Sequence, residues 1–259
     1  MSNFGDIPNP YLPPQGNEYS SYSQGQSIDG EVRNVVPEFG DIFNYAIKVW
    51  KENLQLVVLA ALIVIGISFG IGFFNQVVQI ILQGGFDAKP NTASTLFALG
   101  AGLFANVVQI FLTIGQIQFS LNLLRGKPAE LAMIFQGGER FLPTLGFSIL
   151  FGLAMMLGFV LCIVPGLIVL FLFWPGYYLV IDRKTPVFES FGLARVITKG
   201  NFLNTFLLGL TGAGITLVGF LAFCIGIIFA QPLVVLLGAT AYLMMSGQLD
   251  PKSAQIMRS

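Results

Sequence analysis

The side chains that could do chemistry in this chain are few, and their spacing suits hydrogen bonding. Asn106, Gln109, Thr113, Gln116 and Ser120 recur every three or four residues, with Asn122 just beyond. On a helix that spacing makes one polar ladder. A second set, Asn75, Gln79 and Gln83 with Gln76 beside it, keeps the same period. An amide facing lipid would lack a hydrogen-bond partner, so the first ladder is expected to point into protein or water. Interhelical hydrogen bonds, at about 0.6 kcal/mol each, are the plainer use. A polar path through a helix bundle is the other.

Catalytic constellations are harder to find. The chain has no histidine, which removes histidine-activated nucleophiles, histidine-ligated haem and most zinc sites. Two cysteines cannot hold a cluster or a structural zinc. No GxxxxGK[ST] phosphate loop occurs. The remaining candidate acids and bases, Glu130, Glu139, Asp182 and Glu189, lie on the cytoplasmic border of the spans. The expectation is therefore no catalytic residue, no cofactor, no metal and no enzyme. Cys162 and Cys224 follow similar Gly-Phe sequences, Gly158-Phe159 and Gly219-Phe220. A disulfide would need their α-carbons within about 7 Å, and two unpaired cysteines are the simpler expectation.

The elements that must position these residues are marked by missing charge. The chain is 54% hydrophobic and 10% charged, against about 25% charged in a soluble domain. No Asp, Glu, Lys or Arg occurs from Asn53 to Phe86, Pro90 to Leu124, Phe141 to Ile181 or Gly200 to Leu249. A spanning helix needs about 20 apolar residues, so the first two windows hold one span each and the last two hold two each. Breaks are expected at Cys162-Ile163-Val164-Pro165-Gly166, a Pro-Gly turn signal, and more weakly at Phe223-Cys224-Ile225-Gly226. The spans are placed at about 54–74, 103–124, 142–163, 166–182, 202–223 and 226–246.

Basic residues set the orientation. Arg33, Lys48, Lys51, Arg125, Lys127, Arg140, Arg183, Lys184, Arg195, Lys199, Lys252 and Arg258 all fall on one side of a six-span chain, and Lys89 alone on the other. The positive-inside rule then puts both termini in the cytoplasm, and an odd number of spans would break the partition. No Asp, Glu, Lys, Arg or His lies within the interior of a span, which argues against a proton-coupled pump. Net charge is zero with no basic stripe, so no nucleic-acid partner is expected. The first apolar run begins near residue 54 and is long enough to stay as an anchor.

Residues 1–36, rich in Pro, Gly, Ser, Gln, Asn and Tyr, read as a disordered cytoplasmic tail. Residues 37–248 form the transmembrane domain, and 249–259 a short cytoplasmic tail. Within the domain one unit recurs three times: a proline-opened amphipathic helix followed by a pair of spans. The units begin at Pro37-Glu38, Pro128-Ala129-Glu130 and Thr185-Pro186. Proline suits a first helical position. In the first unit Phe39, Ile42, Phe43, Ala46, Ile47 and Trp50 share one helical face, opposite Asp41, Asn44, Lys48 and Lys51. Such a helix can lie in a membrane interface or brace a bundle from beneath. Trp174, Tyr178 and Asp182 stand four residues apart, and with Trp50 they suit an interfacial belt. Gly66…Gly70, Ser148…Gly152 and Gly209…Ala213 are small-xxx-small pairs that would permit close helix approach.

From Pro165 to Tyr242 the chain resembles a class of uncharacterised bacterial multi-pass membrane proteins. These are related to the membrane domain attached to some glycerophosphoryl diester phosphodiesterases. The likeness is carried by Tyr178-Leu179-Val180-Ile181-Asp182, Thr185-Pro186, Ser190, Thr198-Lys199-Gly200-Asn201, Pro232 and Tyr242. The resemblance implies a bacterial inner membrane. It does not imply phosphodiesterase activity, which belongs to a soluble domain lacking here. The expected fold is an all-α bundle of six spans in three hairpins, each preceded by an amphipathic interfacial helix. The expected role is a non-catalytic membrane component organising lipid, or a protein partner met through the tail or the interfacial helices. A passive transporter or channel for a small neutral or lipid-like solute is the alternative.

Overall fold

The four uncharged windows become six long apolar helices in the computed structural model, which describes residues 32–85, 89–222 and 225–250. All regular structure among those residues is helical. In chain order the helices are α1 (Phe39–Glu52), α2 (Leu54–Gln83), α3 (Thr92–Leu124), α4 (Phe141–Leu161), α5 (Ile163–Phe173), α6 (Gly176–Asp182), α7 (Val187–Thr198), α8 (Phe202–Leu221) and α9 (Ile225–Met245). Four of the six long helices start and stop within a few residues of the sequence expectation. The other two run on: α2 has 30 residues and α3 has 33. Nothing in residues 75–83 or 92–102 forbids helix, and Asn91 caps α3 with a box in which Asn91 and Ser94 exchange hydrogen bonds.

Three hairpins form, α2 with α3, α4 with α5, and α8 with α9. A single extended residue, Cys162, separates α4 from α5. So sharp a return brings backbones together, and glycine is what fits. A Cβ on Gly158 would lie 2.8 Å from the Gly166 Cα. The α8–α9 turn repeats the device, since a Cβ on Gly226 would lie 2.5 Å from the Gly219 carbonyl oxygen. α5 and α6 form one apolar stretch broken at Trp174-Pro175, where proline cannot bond back to the Phe171 carbonyl.

The chain closes around α9. It packs against α1, α2, α3 and α8, and 56% of its most apolar window is buried, against 11% for α3. Tyr242, Leu243 and Met245 are fully enclosed. Burial in the first hairpin is one-sided: Val57, Ala60, Ala61 and Val64 on α2, and most residues between Leu112 and Leu124 on α3, join the core. Of the described residues in 65–83 and 92–111, Ser94 alone is buried.

The segments preceding the hairpins differ from expectation. α1 is a helix as read, but it braces the bundle: Ile42, Tyr45, Ala46 and Val49 are buried, and the Tyr45 hydroxyl donates to the Leu124 carbonyl at 2.8 Å. Its buried stripe is thus turned from the one read in sequence, and α9 is the element α1 packs against most closely. Phe39 and Phe43 stack on each other at the flank. The second unit has no α-helix. Leu131–Phe135 and Gly137–Arg140 are two 3-10 turns that dock on α3. A Cβ on Gly115 of α3 would lie 2.2 Å from the Ile134 carbonyl oxygen, so this contact is backbone to backbone. The third unit keeps its helix, α7. Most of the expected N-terminal tail, residues 1–31, and of the C-terminal tail, residues 251–259, lie outside the described residues.

Candidate functional site

The polar ladder runs from the surface of α3 into the core. Asn106 and Gln109 are exposed, Thr113 and Gln116 half-buried, and Ser120 buried. Much of its bonding is local. The Asn106 amide donates to the Gly102 carbonyl at 2.9 Å and the Thr113 hydroxyl to the Gln109 carbonyl at 2.8 Å, the i−4 acceptors of their own helix. One bond crosses to α2, from the Ser68 hydroxyl to Gln109 Oε1 at 3.2 Å. Of the second set, Asn75 faces an open apolar cleft of about 480 Å³ between α2 and α3. Gly70, Ile71, Phe74, Phe97, Gly100 and Phe104 line the rest of it with Ala101.

Deeper in, Gln116 and Ser120 meet α9. With Ala60, Ala61, Gln231 and Pro232 they border a small cavity of about 20 Å³. Gln231 Oε1 is buried there without a hydrogen-bond partner. Gln231 was not singled out in the sequence, since it stands alone in an apolar run with no periodic companion on its own helix.

Asp182, read as an interfacial marker, sits in a closed ring of four side chains. The Arg125 guanidinium donates to both carboxylate oxygens, at 2.7 and 2.6 Å. Arg125 also donates to Gln248 Oε1 at 2.6 Å. The Gln248 amide donates to the Tyr242 hydroxyl at 3.1 Å, which donates to Asp182 at 3.1 Å. Burial disfavours the Arg125 charge, but the hydrogen bond and charge of Asp182 outweigh it and raise the guanidinium pKa above its ordinary value. The ring ties the ends of α3, α6 and α9 together. Tyr178 lies beneath it, stacked on Tyr242 with ring centroids 5.1 Å apart, and Trp174 meets Tyr178 edge-on at 5.7 Å. Both Trp174 and Trp50 are half-buried, and the indole nitrogen of each is buried with no hydrogen-bond partner.

A second polar joint holds residues 32–37. The Asn201 amide donates to the Val35 carbonyl at 2.8 Å and to Asn34 Oδ1 at 3.1 Å. Asn204 donates to the Pro37 carbonyl at 2.8 Å. The Asn34 amide donates to the Lys199 carbonyl, and the Val35 N–H to the Met245 carbonyl at 3.0 Å. Gly247, at φ +71°, lets the end of α9 turn beneath this strap, 3.2 Å being all that would separate a Cβ from Arg33 and Val35.

Glu130, Glu139 and Glu189 are exposed and take no part in the ring. No group of three or more acidic or cysteine side chains converges among the described residues. Cys162 is exposed and unbonded, and Cys224 lies outside the described residues. The arrangement can orient helices and hold small polar groups. Arg125 and Gln248 could have been suspected only from their place at the edges of uncharged windows, because the ring joins residues up to 123 positions apart. No protein family, curated protein or solved structure matches the chain.

Proposed function

We propose that this chain is a non-catalytic component of a bacterial inner membrane, with both termini in the cytoplasm, that organises lipid through its first hairpin. The observation that carries this reading is the one-sided burial of α2 and α3. Their exposed stretches, 65–83 and 92–111, are each about 30 Å long at 1.5 Å per residue, which matches the hydrocarbon thickness of a bilayer. Phe69, Phe73, Phe74, Leu99, Leu103 and Phe104 stand outward there, around an apolar cleft of a size typical of small-molecule pockets. A pair of helices this exposed meets its surroundings with side chains rather than burying them.

Other features agree. Among the residues that carry the resemblance to bacterial multi-pass proteins, Tyr178, Asp182, Asn201 and Tyr242 make the ring, the stack and the strap joint, and Thr198 ties α7 to the Leu172 carbonyl; all of these are holding contacts. The test is to count lipids retained by the purified protein in mild detergent by native mass spectrometry. Filling the cleft with Gly70→Trp and Gly100→Trp should lower that number without unfolding the protein. Retention equal to that of the parent would overturn the reading.

The exposed upper rungs of the polar ladder favour one second reading, passive passage of a small neutral solute along α3. Liposome flux that Gln109→Leu and Gln116→Leu both abolish would establish it in place of the first.

A further inference from the structure

We infer that the cavity between α2, α3 and α9 is a binding site for a single water molecule, held by Gln231, Gln116 and Ser120 beside the proline of α9. Four observations converge there. The cavity, at about 20 Å³, exceeds the roughly 10–15 Å³ that one water requires. Gln231 Oε1 is buried and lacks a hydrogen-bond partner, a condition that destabilises the fold unless something donates to it. Gln116 and Ser120 border the same space from α3 and bring the donors and acceptors that a bound water needs in twos to fours. Pro232 borders it too and has no N–H to give the Ile228 carbonyl, so α9 is short of one internal bond at this point.

A dry cavity would lack the polar groups found at this one. Here Val57, Ala60, Ala61, Phe119, Val235 and Leu236 form the walls, and the polar groups converge from two helices on one small space. Water in this place joins α3 to α9 where α9 carries its proline, and it completes the lower end of the polar ladder. The site is independent of the lipid-organising reading and stands or falls by its own experiment.

The full chain in nanodiscs, with glutamine side-chain amides labelled with nitrogen-15, should show a cross-peak between the Gln231 or Gln116 amide and a long-lived water. Gln231→Leu and Gln116→Leu assign the signals. Ala61→Val pushes a methyl into the cavity from α2. It should remove the cross-peak and lower the melting temperature, because it expels a water that satisfies buried groups. No such cross-peak in the parent protein would overturn the inference. So would a cross-peak that survives Ala61→Val, or a higher melting temperature in that variant, the result of filling a dry cavity.

Discussion

Arg125 and Asp182, 57 residues apart, meet through two parallel hydrogen bonds of 2.7 and 2.6 Å, with side chains 25% and 11% exposed. A bidentate guanidinium–carboxylate pair fixes orientation as well as distance. It therefore sets where α6 ends against α3, and Tyr242 and Gln248 extend the hold to α9.

Asp182→Asn should cost about 2 kcal/mol, the scale of a lost hydrogen bond to a charged group, because Arg125 keeps its charge with no anion beside it. Thermal unfolding in detergent should show a fall of several degrees. The double variant Arg125→Met with Asp182→Leu should recover part of the loss, since removing both charges leaves neither unpaired. A double variant as unstable as the sum of the singles would show that the pair contributes no coupling.

Asn201→Ala should free the strap. The asparagine amide nitrogen lies within hydrogen-bond distance of three acceptors, on Val35, Asn34 and Ile197, among which its two N–H groups are shared, and alanine serves none. Limited proteolysis should then cut residues 32–38 markedly faster than in the parent protein, while the helical circular dichroism signal stays. Unchanged cleavage would mean that Asn204 and the Val35–Met245 bond suffice.

Two glycine substitutions of the same kind should part ways. Gly115→Ala puts a methyl 2.2 Å from the Ile134 carbonyl oxygen. Backbone must then move, at a cost of about 1–3 kcal/mol or more. Gly66→Ala meets nothing within 4 Å and should stabilise α2 by a few tenths to about 1 kcal/mol through helix propensity. Melting temperatures of the two variants should move in opposite directions.

The proposed orientation places Cys162 on the outside. In a Cys224→Ser background, a membrane-impermeant maleimide added to intact cells should label Cys162, which is exposed. A cysteine introduced by Lys127→Cys should react only after the cells are opened. The reverse pattern would invert the orientation, and labelling of both from outside would end the six-span reading.

What the sequence by itself determined is the set of helices that can live in hydrocarbon. Ionic side chains are excluded from a medium that cannot solvate them, so four uncharged windows mark six apolar helices, and Pro165 with its neighbouring glycines marks where one window folds back. Local rules also reached α1 and α7, whose proline starts need no distant partner to be legible. They failed between Pro128 and Arg140, where the backbone of Ile134 docks on Gly115 and 3-10 turns replace a helix. They also stopped short of the full length of α2 and α3, where apolar composition continued without a stop signal until Gly84.

Only the tertiary structure decided that α9 is the centre, that Asp182 belongs to Arg125, Tyr242 and Gln248, and that Gln231 shares a cavity with Gln116 and Ser120. Each of these joins residues far apart in the chain. A side chain's own sequence neighbours carry no record of which distant helix will face it. In a bundle of nearly uniform apolar helices, many pairings bury similar surface. The choice among them falls to a few polar bonds and to the glycines that let backbones touch, and these become visible only once the helices are side by side.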